Sequence, residues 1–220
     1  MSDLTCFKAY DVRGEIGVNI DEGVAYRIGR AVAQHFSAKS VVIGFDARET
    51  SPAFSAAASQ GARDAGADVI NIGMAGTEEM YWAVTEFDAC AGIEVTASHN
   101  PINYNGIKIV KSHSRPLGDA SDFQVIKALA GSQDWLSVSE TGKELDLSDE
   151  ARKAYVDRVL SFVDVKALRP LKIVVNSGNG AAGPTFDAIE ERLLEIGAPM
   201  EFIRVHHAAD ATFPNGIPNP

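Results

Sequence analysis

A serine and a histidine stand side by side where an apolar stretch gives way to a polar one. Residues 89–95 (ACAGIEV) read as a buried strand, 96–106 (TASHNPINYNG) as a loop, and 107–110 (IKIV) as a strand again. Ser98 therefore sits at a strand end, where a hydroxyl can be presented on a rigid support. His99 is its candidate base, and Lys108 follows on the next strand. The plainer readings are equally definite. Neighbours in sequence rarely bring their side chains together, no third orienting group is evident, and the wording is not the G-x-S-x-G of a nucleophile elbow. On local pattern alone Ser98 is a turn former with Asn100-Pro101. Lys108 is then the solvent-facing member of an Ile-Lys-Ile strand, and His99 a structural hydrogen-bonding residue.

A second tempting segment is Gly178-Asn179-Gly180-Ala181-Ala182-Gly183, a G-x-G-x-x-G run between a strand and a helix. Such a run can cradle a pyrophosphate. The acid that should close the following strand is missing: that strand ends Val205-His206-His207, with Asp210 several residues too late. Pro184 follows the third glycine directly. The run reads as a tight strand-to-helix turn rather than a dinucleotide loop.

The surrounding pattern alternates strands and helices. Val24, Ile28, Val32 and Phe36 recur every four residues and predict an amphipathic helix over 21–37. Strands are expected at 41–43, 67–72, 171–176 and 200–205, with helices from Ser51-Pro52 to about Gly66, over 78–87, over 120–130 and from Pro184 to Ile196. Residues 131–147 lose their period and read as a linker. Ser148 is the expected cap of a helix carrying Asp149 and Glu150 in its first turn and Ala151, Tyr155, Val159 and Phe162 on its apolar face. Val42-Ile43 and Gly66-Ala67 recur as Ile173-Val174 and Gly197-Ala198 at a constant offset of 131, which fits either a repeated α/β unit or the general likeness of βαβ units. The expected fold is α/β, with mixed βαβ-type sheets sandwiched by helices.

Composition narrows the function classes. Of 220 residues, 45% are apolar and 23% charged, as in a chain with a real core. The net charge of −10 opposes general binding to nucleic acid or an anionic membrane, although a few local cations can still hold a small phosphate. No apolar run is long enough to span a bilayer, and MSDLTCFKAY shows no secretory signal pattern. Cys6 and Cys90 read as buried, reduced thiols of a cytoplasmic protein. The proline-rich FPNGIPNP is either a natural tail or a cut through a longer protein.

Three segments occur together in order: Tyr10-Asp11-Val12-Arg13-Gly14, Gly44-Phe45-Asp46-Ala47-Arg48, and Thr96-Ala97-Ser98-His99-Asn100-Pro101 followed by Asn103-Tyr104-Asn105-Gly106-Ile107-Lys108. With SGNGAAGP and FPNGIPNP, they resemble the N-terminal half of the α-D-phosphohexomutases, in wording nearest the bacterial phosphomannomutase branch. The resemblance implies repeated domains, the first (phosphoserine) domain over 1–147 and the start of a second over 148–220. It implies that Ser98 carries a phosphate to and from a hexose phosphate, interconverting 6-phospho and 1-phospho sugars through a hexose 1,6-bisphosphate. Mg²⁺ would bind through the Ser98 phosphate. Arg13, Lys108 and His99 would be catalytic, with Lys108 or His99 moving protons; Tyr10 and Asn100 would position the substrate. Asp46 and Arg48 would either touch substrate or form an ion pair that fixes their loop. The family's D-G-D-x-D-R, G-E-x-S-G-H and R-x-S-x-T-E-P loops do not occur in this chain, and HHAADATFP departs from the usual P-D-G-x-F-P wording. The resemblance thus implies that these residues alone have neither mutase turnover nor a tight Mg²⁺ site. The contrasting reading is a non-catalytic sugar-phosphate or dinucleotide-binding module built on a mutase-like first domain.

Overall fold

The computed structural model describes residues 4–117 and 122–217. Its main sheet runs β1-β5-β4-β2-β3-β7, with β6 paired to the side of β5. The strands are β1 (Val12–Glu15), β2 (Ser40–Phe45), β3 (Asp68–Met74), β4 (Ala91–Val95), β5 (Tyr104–Lys111), β6 (Arg115–Pro116) and β7 (Glu144–Asp146). β2 pairs in parallel with both β3 and β4, while β5 runs antiparallel to β4 and β1. Central β4 is buried along its whole length, as its apolar run requires.

Helices cover both faces. α1 (Glu22–His35), α2 (Ser51–Asp64) and α4 (Asp122–Ser132) seal a core that includes Val41, Ile43, Ile93, Val95 and Ile107. α3 (Thr77–Glu86) and α5 (Ser148–Leu160) close the other face over Val42, Ile70, Ile72 and Val110. Asp21 caps α1 by accepting from Val24 N at 2.7 Å. α1 and α2 cross at backbone contact. A Cβ on Gly29 would stand 2.0 Å from the Ala58 carbonyl oxygen, and one on Gly61 2.0 Å from that of Tyr26.

The second unit is a parallel pair, β8 (Leu171–Asn176) and β9 (Met200–Val205), joined through α6 (Ala182–Glu195). The offset of 131 carries β2 onto β8 and α2 onto α6 at both ends of each element. Gly66 and Gly197, at φ of 88° and 74°, make the same left-handed stop after each helix. The chain is mixed α/β, as expected.

Four local expectations are corrected. Residues 131–147 are not a free linker, because β7 pairs with the outer edge of β3; three ladder residues are too short for a period to show. Ser148 is the first residue of α5 rather than its cap, with Leu147 at the cap position and the Asp146 carboxylate accepting from Ser148 N at 3.1 Å. Phe162 lies outside the apolar face, 74% exposed beneath the Arg158 guanidinium, while Val156 is buried instead. Cys90 is half-buried; Cys6 is buried, and both are free thiols. Ala120, the expected start of α4, lies outside the described residues. No helix among them is long and apolar enough to cross a membrane.

Gly61→Ala should cost about 1–3 kcal/mol by overpacking the helix crossing, a Tm loss of several degrees. Gly131→Ala in α4, whose new Cβ meets only Leu4 at 3.8 Å, should be neutral or stabilising. Thermal denaturation of the pair checks both.

Candidate active site

The loop after β4 begins by turning sharply. Ser98 has φ of 53°, a left-handed conformation that costs a non-glycine residue energy. Its amide donates to Thr96 Oγ1 at 2.9 Å, and its side chain is thrown outward and exposed. The His99 ring follows it round: Ser98 Oγ lies 3.3 Å from His99 Nδ1. The expectation that adjacent side chains stay apart is therefore corrected here. The left-handed turn brings the two polar groups to the same side.

One buried guanidinium holds this loop. Arg48 is 3% exposed and donates through Nη1 to the Pro101 and Tyr104 carbonyls (2.9 and 3.0 Å) and through Nη2 to those of Ser98 and Asn100 (2.9 and 2.6 Å). Its Nε stands 3.5 Å from Asp46 Oδ2. Burial lowers its pKa, and the Asp46 charge opposes that shift. All four Nη protons are used on the loop, so Arg48 anchors it here. Asp46 is similarly committed, accepting from Arg48 N at 3.0 Å and from Ser51 Oγ at 2.6 Å.

Arg13 reaches the loop from β1. Asp11 pins it through Nε at 2.8 Å, and its Nη1 donates to Asn100 Oδ1. Gly106 permits this packing: a Cβ there would lie 2.3 Å from the Val12 carbonyl oxygen and 2.8 Å from that of Thr96. Contacts thus gather Ser98, His99, Asn100, Arg13, Arg48 and Asp46. Tyr10, 72% exposed, makes no hydrogen bond or ion pair with them. Lys108 is half-buried on β5, and its ammonium has no hydrogen-bond or ion-pair partner among the described residues. The start of β5 at Tyr104 shortens the expected loop by three residues.

Three residues gained no role from the sequence. Asp11 is buried and orients Arg13. Asn105, fully buried, donates to Thr50 Oγ1 at 2.9 Å and Ser51 Oγ at 3.1 Å, tying the loop's exit to the start of α2. Both lie inside the quoted motifs, which was their only signal. Glu94 is fully buried in β4, opposite Lys108 in the ladder, with both oxygens unpartnered. The missing side chain of Gly44 makes its slot, since a Cβ there would lie 2.6 Å from Glu94 Oε2. Burial drives the Glu94 carboxyl well above the ordinary range, and the Asp46, Glu79 and Glu78 charges add to the shift.

The glycine run after β8 is a turn. Gly178 and Asn179 both have positive φ, at 59° and 57°. The chain's own His207 carbonyl approaches Gly183 where a Cβ would lie at 2.2 Å. Among the described residues, no group of three or more Asp, Glu, His or Cys side chains is gathered to hold a metal ion.

Comparison with known proteins agrees with this geometry. The profile of phosphoglucomutase/phosphomannomutase alpha/beta/alpha domain I matches residues 5–134, and that of domain II matches residues 153–220. The chain belongs to the phosphoglucomutase/phosphomannomutase family. It is 49% identical to phosphomannomutases of Salmonella montevideo and of Escherichia coli K12, over all of this chain and 48% of each relative. A crystal structure of a phosphoglucomutase/phosphomannomutase family protein from Burkholderia thailandensis superposes with a TM-score of 0.82 at 31% identity, over 99% of this chain and 47% of that one. The chain spans about half the length of the curated relatives it matches.

Glu94 generates a pH prediction. Its raised folded pKa means that the folded state keeps a proton which the unfolded chain releases above pH ~4.3. Glu94 therefore favours folding at low pH and loses that contribution as pH rises toward its folded value. The Tm of the native chain should fall relative to that of Glu94→Gln as pH increases from about 4 to 8. A Tm difference independent of pH would contradict the assignment.

Proposed function

We propose that this chain is the phosphoserine-bearing part of a phosphohexomutase that interconverts mannose 6-phosphate and mannose 1-phosphate. The carrying observation is Ser98: an exposed hydroxyl in a strained turn, fixed by four carbonyl bonds to Arg48. Rigid presentation of this kind suits phosphoryl transfer, where in-line positioning and charge stabilisation supply nearly all of the catalysis. The proposed boundary between the family's first and second domains falls at 147/148, where β7 has just joined the main sheet.

In this reading the phosphate rides on Ser98 Oγ. The P–Oγ bond breaks as a sugar hydroxyl forms a new P–O bond, giving the bisphosphorylated hexose. The departing Oγ takes a proton, and His99 Nδ1, 3.3 Å away, is placed to give it. Lys108, acting as its neutral amine, takes the hydroxyl's proton. Arg13, anchored by Asp11, offsets phosphate charge while Asn100 sets its direction. Tyr10 is an exposed positioning group, and Asp46 and Arg48 position through the loop. The sugar turns over, and its other phosphate returns to Ser98 by the reverse steps. Mg²⁺ bound through the Ser98 phosphate would act as a Lewis acid there. The acidic balance favours a small hexose phosphate over nucleic acid or an anionic membrane as partner, and a cytoplasmic setting fits two free thiols.

In the longer protein implied by the relatives' length, mass spectrometry should find phosphate on Ser98. Ser98→Ala should abolish conversion of mannose 6-phosphate, and His99→Gln should slow it about 100-fold. Normal turnover in Ser98→Ala would reject the reading.

A further inference from the structure

The second α/β unit carries a nucleophile of its own. Ser177 directly follows β8 and His207 follows β9, so both stand at the carboxyl ends of adjacent parallel strands, where open α/β sheets place their sites. His207 Nδ1 lies 3.3 Å from Ser177 Oγ, and His207 Nε2 lies 2.8 Å from Asp187 Oδ1 on α6. With the Nε2 proton donated to Asp187, Nδ1 is the acceptor that faces the serine hydroxyl. The imidazole is mostly shielded, at 18% side-chain exposure. Asp187 is held in turn by Arg204 Nη2 at 2.9 Å.

The backbone around this relay is over-determined. His206 has φ of 45°. Buried Asn179 bonds the loop three ways: its amide donates to the His206 carbonyl at 2.7 Å, its Nδ2 to that of Ala208 at 2.9 Å, and its Oδ1 accepts from Asn215 at 2.9 Å. An open pocket lies against Ser177, with Gly178, His206, Asn215 and Ile217 among its lining residues. Asn176 is drawn over the turn by accepting from Gly178 N at 3.0 Å, which leaves its Nδ2 free to donate.

We propose that Ser177, His207 and Asp187 form a second nucleophilic site that accepts acyl groups from small, uncharged carboxylic esters. Ser177 Oγ attacks the ester carbonyl carbon while its proton passes to His207 Nδ1. Asn176 Nδ2 donates to the oxyanion. The carbon–oxygen bond to the alcohol breaks, and Nδ1 returns the proton to the departing alkoxide. Water then hydrolyses the acyl-serine by the same route and regenerates Ser177. Charge chooses the substrate class. Among the described residues, no lysine or arginine lines the pocket, and Arg204 is spent on Asp187 and Glu190. A phosphate has no cation to meet there, whereas a neutral ester needs none.

The test uses the 220-residue chain and p-nitrophenyl acetate, with no sugar phosphate present. The expected result is a burst of nitrophenol near one equivalent per chain, with the acetyl group mapped to Ser177 by mass spectrometry. Ser177→Ala should remove the burst, and His207→Gln should slow acylation about 100-fold or more. Asp187→Asn, which can still bond the imidazole but no longer supports its charge, should slow it while near-native circular dichroism persists. No burst above that of Ser177→Ala, or acetyl found only on other residues, would overturn the proposal.

Discussion

The candidate site depends on a single buried guanidinium. Four carbonyls in one short loop all point inward, and each would be costly to bury without a donor. Arg48 supplies all four from one rigid plane, which a lysine, with three protons on a single nitrogen, cannot reproduce. The left-handed turn at Ser98 is strained and persists because this clamp over-determines the backbone around it. The outward hydroxyl, the meeting of Ser98 with His99, and the place where Asn100 receives Arg13 all follow from that constraint. Asp46, Ser51 and Asn105 extend the clamp to the start of α2, so the loop is referenced to a helix as well as to the sheet.

The two units share a plan and meet through polar as well as apolar contacts. Glu79 accepts from Gly76 N at the start of α3 and from Thr185 Oγ1 in α6, both at 2.8 Å. Burial raises its pKa, and those two hydrogen bonds oppose the shift. Trp82 and Tyr155 pack edge to face at 5.6 Å alongside. One carboxylate therefore serves as both a helix cap and a link between units. The repeated β-α-β register gives each unit a loop at the same strand end, yet the loops have different contents. One presents Asp46 and Arg48 as a clamp, the other Ser177 and Asn179.

What the sequence made legible follows physical range. Helix periodicity, glycine stops and the repeated 131-residue spacing placed the helices and strands β2–β5, β8 and β9 to within a few residues, while β1, a four-residue edge strand, had no such signal. β7 escaped because three residues cannot display a period and its pairing with β3 is a long-range event. The cap of α5 was displaced by one turn-forming aspartate. Within the site, residue types marked Ser98, Arg13 and Lys108, but not which of them would touch. Arg48 could be read as a ligand contact or a loop anchor until its partners were visible. Asp11 and Asn105 act through buried hydrogen bonds, which leave no pattern in one sequence. Glu94 sits where apolar periodicity predicts a core residue, and only the Gly44 slot explains how a carboxyl fits there.

Arg48 holds the serine loop through four carbonyls. Amide hydrogen exchange in Arg48→Lys tests it most directly, read at Asn100 and Tyr104, whose amides bond to the Ala97 and Pro101 carbonyls within the loop. Exchange at these two amides should speed at least about tenfold, a loss of ~1.4 kcal/mol of local stability, while the amides of β4 keep their protection. Unchanged exchange at Asn100 and Tyr104 in a folded variant would contradict it.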